Sequence, residues 1–328
     1  MRAAWFESFG PARDVLEVGR QPDPVPAAGE VLVRLSTSGV NPSDVKKRAG
    51  SFPDLLNDGL VIPHSDGAGT IEGAGEGVDP ARVGERVWLY QAQYARRFGT
   101  AAELIAIDAA RAVPLPAGTS ETIGACLGIP AMTAHRCVFA DGDVDRQTVL
   151  VTGGAGRVGH YAIQWAAGSG ARVIATASND ADAASCRAAG AVTIVNHREA
   201  GWGKAVLEAN GGEPVDRVVD VEFGANLEEV MQCIRVSGVI ATYSSTVVPE
   251  PRLPFFQMMY RDLTVRTVIV YAMPESAKQA AIAAINEALE AGALQHRIAA
   301  QVPLEKIADA HEMIEGGEVR GCVVVTLA

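Results

Sequence analysis

Three glycines, Gly154, Gly156 and Gly159, stand in the spacing G-x-G-x-x-G, with Ala155, Arg157 and Val158 between them. Where such a loop joins a strand to a helix, it allows a tight turn and lets the backbone approach a pyrophosphate, which the helix N-terminus then receives. That context is present. Residues 148–152 (TVLVT) read as a short buried strand and residues 158–168 have helical spacing. Arg157 would be a cation in the first helical turn, opposing the macrodipole, an arrangement that makes sense with an anion there. The ribose is read at the tip of the next strand, residues 172–177, where NAD-binding proteins usually place an Asp or Glu. This chain has Ala177, Ser178 and Asn179, with Asp180 and Asp182 beyond. Without a carboxylate at the tip nothing repels a 2′-phosphate, so the expected cofactor is NADPH rather than NADH. Ser178, Asn179 and His197 are its expected contacts, with Arg187 in support. Ser244, after the fifth strand of the series, is counted on the cofactor side.

Other chemistries fit poorly. Cys126, Cys137, Cys186, Cys233 and Cys322 stand far apart and form no C-x-x-C, which suits reduced thiols better than a disulfide framework or a cysteine-based zinc site. His64 and Asp66, a lone His beside a lone Asp, read as packing or capping residues. There is no G-x-S-x-G of an α/β hydrolase, and none of the six tyrosines has the Lys four residues later that a short-chain dehydrogenase needs. Glu222, after the fourth strand, faces either the cofactor or solvent. Phe255-Phe256 and Met258-Met259 read as core or pocket wall.

The elements that must carry these residues follow from periodicity. With 328 residues the chain exceeds the usual size of one hydrophobic core, so two domains are expected. Up to about residue 108 the chain is β-rich: residues 30–36 (EVLVRLS) alternate, and 68–72 and 85–89 are further strands. From residue 147 strand and helix alternate, with later strands at 191–195, 215–221, 238–243 and 263–270, which predicts a parallel sheet covered on both faces. An alanine-rich helix spans 275–291. Residues 322–327 (CVVVTL) form a last apolar strand with no helix after it, one that can return to the first domain's sheet. The fold class is therefore α/β. A formal net charge of −11, with no Lys/Arg-rich run, argues against nucleic acid or an anionic membrane as partner. No apolar stretch is long enough to span a bilayer, and residues 1–20 carry charges, so no signal peptide is expected and the cytoplasm is the expected location.

Further motifs stand in order along the chain: Gly39-Val40-Asn41-Pro42-Ser43-Asp44, Ser65-Asp66-Gly67-Ala68-Gly69, Phe98-Gly99-Thr100-Ala101-Ala102-Glu103, the phosphate loop and a closing Arg320-Gly321. With them the chain resembles the zinc-lacking, zeta-crystallin-like quinone oxidoreductase branch of the medium-chain dehydrogenase/reductase superfamily. The resemblance implies a GroES-like catalytic domain over residues 1–122, a Rossmann cofactor-binding domain over 123–292, and a return segment, 293–328, that completes the first domain. It also implies a nicotinamide held in the cleft between the domains. Zinc members carry Cys, His and Cys at the places of Asn41, Ser65 and Leu127, and the four-cysteine zinc lobe is missing from 88–98. No metal is expected. The chain departs from the branch at Lys46, where a Tyr is frequent. It departs also at 180–183, where a phosphate-binding Lys is frequent, at His197, where a Tyr helps bind the adenosine end, and at Cys322, where a Lys closes the motif.

The expected reaction is hydride transfer from NADPH to a small quinone or enone, with zinc replaced by hydrogen-bond donors at the developing oxyanion. Asn41 and Lys46 in one loop, and Thr133 in the segment matching the branch's nicotinamide-side helix, are the candidates. A non-catalytic, crystallin-like NADPH-binding protein and a 2-enoyl thioester reductase are the alternatives on the same fold. A homodimer is expected, joined at strand 263–270 as an apolar sheet edge.

Overall fold

Alternating apolar residues near the N-terminus build a first sheet around one long strand. The computed structural model describes residues 1–317 and 319–327. Two short strands, β1 (Arg2–Trp5) and β2 (Glu17–Arg20), pair with each other. The organiser is β3 (Glu30–Val40), antiparallel to β4 (Asp66–Ala74), which pairs with β5 (Arg86–Leu89). On its other side β3 pairs first with β6 (Leu104–Asp108); β5 goes on to β7 (Ala112–Pro114). The expected strand ended at residue 36, where alternation stops. It continues to Val40, and residues 37–40 are buried on both sides because a distant strand pairs with them.

The second sheet is parallel throughout. Its strands are β8 (Thr148–Val151), β9 (Arg172–Ala177), β10 (Thr193–Asn196), β11 (Val215–Asp220), β12 (Ile234–Thr242) and β13 (Thr264–Thr267). Their order, β10-β9-β8-β11-β12-β13, is that of a doubly wound Rossmann sheet, reversing direction beside β8. Leu150, Ile174, Val218 and Ile240 from four of these strands share one core with Leu227 and Val230 of the helix Phe223–Cys233. β13 is the edge strand and is shorter than expected: after Val268 donates to Thr242 O the chain turns into a 3-10 segment, Val270–Ala272. Phe255 and Phe256, expected as core, lie on a short helix, Phe255–Tyr260, and are 65% and 67% exposed. Met259 is exposed as well.

The chain then returns. β14 (Ile298–Pro303) and β15 (Cys322–Thr326) join the first sheet in the order β14-β15-β3-β4-β5-β7, so β15 lies between β14 and β3. The helix Ile307–Gly316 between them packs Ile307, Ala310 and Ile314 into the core of Val31, Val33, Leu35, Val323 and Val325.

Two compact units result, Met1–Ile129 with the segment from Ile282 onward, and Pro130–Ala281. The sequence places these boundaries at 122/123 and 292/293; local hydrogen bonds explain the displacement. Ile129 N–H is held by Asp66, and Asn286 accepts from Trp88 Nε1 and donates to Pro114 O, so both flanking segments belong to the first unit.

Candidate functional site

The phosphate loop is shaped by its glycines. At the end of β8, Gly153 takes a φ of +59° and its N–H donates to Thr176 Oγ1. Gly154 N–H donates to Thr176 O and Gly156 N–H to Gly153 O. A Cβ on Gly159 would sit 2.5 Å from Gly153 O, and one on Gly154 would sit 2.9 Å from Ala175 Cβ and Ile163 Cδ1. Only glycine lets the helix Arg157–Gly168 start so close to the strand. Gly156 is its N-cap, no side chain caps it, and no acid stands in its first turn. An uncapped, acid-free start on a helix of this length is suited to an anion. Behind the loop, Asp220 Oδ1 accepts from Thr152 Oγ1 at 2.6 Å and Asn226 Nδ2 at 2.7 Å, tying β8 to β11.

At the ribose-reading tip one expected residue has a second duty. Asn179 caps the helix Asp180–Ala188: its Oδ1 accepts from Asp182 N, and its Nδ2 donates to Asp182 Oδ2 at 2.8 Å. The amide expected to reach a phosphate is thus engaged with its own helix, as Asn at an N-cap usually is. The same contact draws the Asp182 carboxylate away, leaving it buried, so the tip stays Ala177-Ser178. β10 pairs beside it, Asn196 opposite Ala177, which brings the exposed His197 and Arg198 to the same end of the sheet. Arg198 was not singled out from sequence; strand register is the signal that finds it. Ser244 O accepts from Phe223 N, and Glu222 settles as a loop pin, its two oxygens accepting from Thr246 N and Val247 N at 2.9 Å each.

In the first unit the motif around Asn41 is a helix start. Asn41 is the N-cap of the helix Pro42–Arg48, Pro42 is its first residue, and Asp44 Oδ2 accepts from Asn41 N at 2.9 Å. Asn41 Nδ2 donates to Asp66 Oδ2 at 2.9 Å, and Asp66 Oδ2 also accepts from Ile129 N. A Cβ on Gly128 would lie 2.2 Å from Asp66 Oδ1, so the glycine makes room for the carboxyl. Asp44 and Asp66 are fully buried and Asn41 nearly so. Burial pushes the Asp66 carboxyl up to about 8 against the pull of the Ile129 N–H. Burial also raises Asp44, to about 6, opposed by the charge of Lys47. Burial lowers Lys47, which the two carboxylates partly restore.

Sequence reasoning picked Lys46 from the pair of lysines. The structure exposes Lys46 and buries Lys47, whose Nζ donates to Gln93. Thr133 belongs to the second unit, buried in the helix Met132–Phe139. The first unit also holds a cavity of about 540 Å³ walled by Leu60, Ile62, Phe98, Leu104 and Ile105; none of the predicted residues lines it. Ser65, His64 and Asp66 do not form a metal centre, and among the described residues no group of three or more His, Cys, Asp or Glu is arranged to hold one. Among the same residues no helix is long and apolar enough to cross a membrane.

Comparison with known proteins adds the following. A family described as "Alcohol dehydrogenase GroES-like domain" matches residues 27–117, and one described as "Zinc-binding dehydrogenase" matches residues 158–287. The chain is 28% identical to human quinone oxidoreductase over 310 residues, covering 93% of this chain and 91% of that one. A solved NAD-dependent alcohol dehydrogenase is 28% identical, with a TM-score of 0.86 and full coverage of both chains. A mycobacterial protein solved in complex with NADPH is 26% identical, with a TM-score of 0.88 and full coverage of both chains.

Proposed function

Since the chain belongs to the quinone oxidoreductase branch of the medium-chain dehydrogenase/reductase superfamily, we propose that it is an NADPH-dependent reductase that acts without zinc on a quinone or an α,β-unsaturated carbonyl. The observation that carries this reading is the phosphate loop. It lies at the reversal point of a parallel sheet, Gly154 and Gly159 leave no room for a side chain, and its helix starts without a side-chain cap or an acid. The tip Ala177-Ser178, the withdrawn Asp182 and the exposed pair His197-Arg198 favour a 2′-phosphate over a free ribose hydroxyl.

NADPH, when bound, supplies the hydride. Negative charge then develops on the acceptor oxygen, and the protein's donors must stabilise it. Asn41 Nδ2 carries two hydrogens. One goes to Asp66, and the other is the donor we assign to that oxygen. Lys46, exposed on the same helix, or water returns the proton, and Thr133 offers a further hydroxyl. The active species is a homodimer, with β13 and the exposed Phe255, Phe256, Tyr260 and Ile269 covered by a second copy.

The test is NADPH oxidation against a panel of quinones and enones after dialysis against a strong chelator. Turnover that survives chelation is expected. NADPH binding with no turnover of any acceptor would leave a non-catalytic binding protein in its place. Activity restored only by added zinc would remove the zinc-independent mechanism.

A further inference from the structure

Four contacts lead from Asp66 to the return helix Ile307–Gly316, and they allow one direction only. Thr100 Oγ1 lies 2.6 Å from Asp66 O and 2.7 Å from Ser38 Oγ. Ser38 Oγ lies 2.8 Å from His64 Nδ1, and His64 Nε2 lies 2.9 Å from His311 Nε2. All four side chains are fully buried. Each contact needs one hydrogen, and two hydroxyls and two neutral imidazoles supply four. Asp66 O can only accept, so the Thr100 hydrogen goes there. Ser38 must then donate to Thr100, His64 Nδ1–H to Ser38, and His311 Nε2–H to His64 Nε2. What remains is His311 Nδ1, buried with no partner and no hydrogen. The Ser38–His64 pair has the length of a nucleophile and its base, but the serine hydrogen points away from the imidazole, so it is not one. Burial lowers both imidazoles, His311 to about 3, which keeps a fifth proton out.

The same helix grips the other side of the site. Glu315, one turn beyond His311, pairs with the buried Arg48 at the end of the helix that Asn41 caps. His64 itself sits at a φ of +79°, a conformation a non-glycine residue adopts only when its surroundings hold it there. Two adjacent turns of the return helix thus hold both the segment ending in Asp66 and the helix beginning at Asn41.

We propose that His311 is a positioning residue that, through His64, Ser38 and Thr100, fixes the Asp66–Asn41 contact from the far end of the chain. The proposal rests on the reading that Asn41 donates to the acceptor oxygen. Nitrogen-15 NMR of the NADPH-bound protein should find His64 protonated at Nδ1 and His311 at Nε2. Either imidazole in the opposite tautomer overturns the chain. With 1,4-benzoquinone as acceptor, His311→Phe should lower kcat about tenfold with little change in the KM for NADPH, because it misplaces a donor without removing it. His311→Gln, whose amide N–H can replace Nε2–H, should restore kcat to within about twofold. The Asn41 side-chain amide resonance should move in His311→Phe and return in His311→Gln. An unmoved resonance with full kcat overturns the proposal. If the wild-type chain turns over no acceptor, the reductase reading falls, and the amide resonance decides the positioning claim by itself. Should His311→Phe not fold, His64→Gly tolerates the positive φ, cuts the same chain and is expected to shift the same resonance.

Discussion

Lys47 Nζ donates to both oxygens of Gln93, 3.1 Å to its main-chain O and 2.9 Å to its Oε1, while Lys46 beside it is exposed. The two lysines are therefore different physical objects. Lys47 is a buried ammonium that offsets the charge of Asp44. Replacing it with Met deletes two hydrogen bonds and leaves that carboxylate without its cation. Lys47→Met should cost about 1.5–3 kcal/mol of stability, the range for losing a buried hydrogen bond to a charged group. Lys46→Met should change stability by less than about 0.5 kcal/mol, as exposed substitutions do. Urea unfolding midpoints of the two variants compare them directly; equal midpoints would refute the difference.

The Asp66 carboxyl ties stability to pH. Pushed up to about 8, it keeps its proton in the folded protein where the unfolded chain, with an ordinary carboxyl near 3.9, has lost it. The folded state then binds the extra proton, so this contribution is present at low pH and is lost as pH rises toward 8. Between pH 6.5 and 8 the stability advantage contributed by Asp66 should fall by up to about 1.4 kcal/mol per pH unit. Histidines act in the opposite sense near pH 6.5, because the lowered His64 and His311 stay neutral while unfolded histidines there take up protons; the comparison is therefore made against Asp66→Asn, which carries the same histidines. The stability of the wild type minus that of Asp66→Asn should therefore decline with pH across this window. A difference that rises with pH would contradict the assignment.

Cofactor preference should follow the strand tips. Ala177→Asp introduces a carboxylate where the 2′-phosphate is expected and should turn the preference toward NADH. Arg198→Ala should lower kcat/KM for NADPH about tenfold, the loss of one charged hydrogen bond, and leave that for NADH nearly unchanged. Parallel rates with both cofactors measure this; a wild-type chain faster with NADH would reverse the reading.

Oxyanion stabilisation should be visible in kcat. Asn41→Ala removes the proposed donor and should cost about 100-fold with one quinone and one enone alike. Lys46→Ala and Thr133→Ala complete the set. Near-full turnover in all three variants would leave reactant orientation as the main source of catalysis.

The exposed edge should mediate self-association. Tyr260 is 79% exposed and Phe256 67%, beside the unpaired edge of β13. Phe256→Asp should convert a dimer to a monomer at micromolar concentration by light scattering. A wild-type chain that is monomeric there would remove the dimer.

What sequence could reveal was whatever is local. The G-x-G-x-x-G spacing, the missing acid at Ala177 and the apolar strand at 322–327 each lie in a few consecutive residues. Lys46 and Lys47 could not be told apart, because a seven-residue helix has too few turns to define its buried face. That Asn179 also caps its helix was not legible, because a residue suited to phosphate is equally suited to a helix cap. Phe255 and Phe256 look like core in any window of sequence; their exposure is a property of the sheet edge. The His64–His311 contact joins residues 247 positions apart, and no periodicity points across that distance.

The place of β15 has a consequence for synthesis. It lies inside the first sheet, against residues 37–40 of β3, which are translated almost three hundred residues earlier. Until Cys322–Thr326 emerges, that half of β3 has an open edge of unpaired backbone groups, of the kind that invites wrong pairing. The second unit, made later, uses only residues 130–281 and can close first. The unit begun first is finished last, and the 37–40 edge of β3 waits unpaired until the final strand is made.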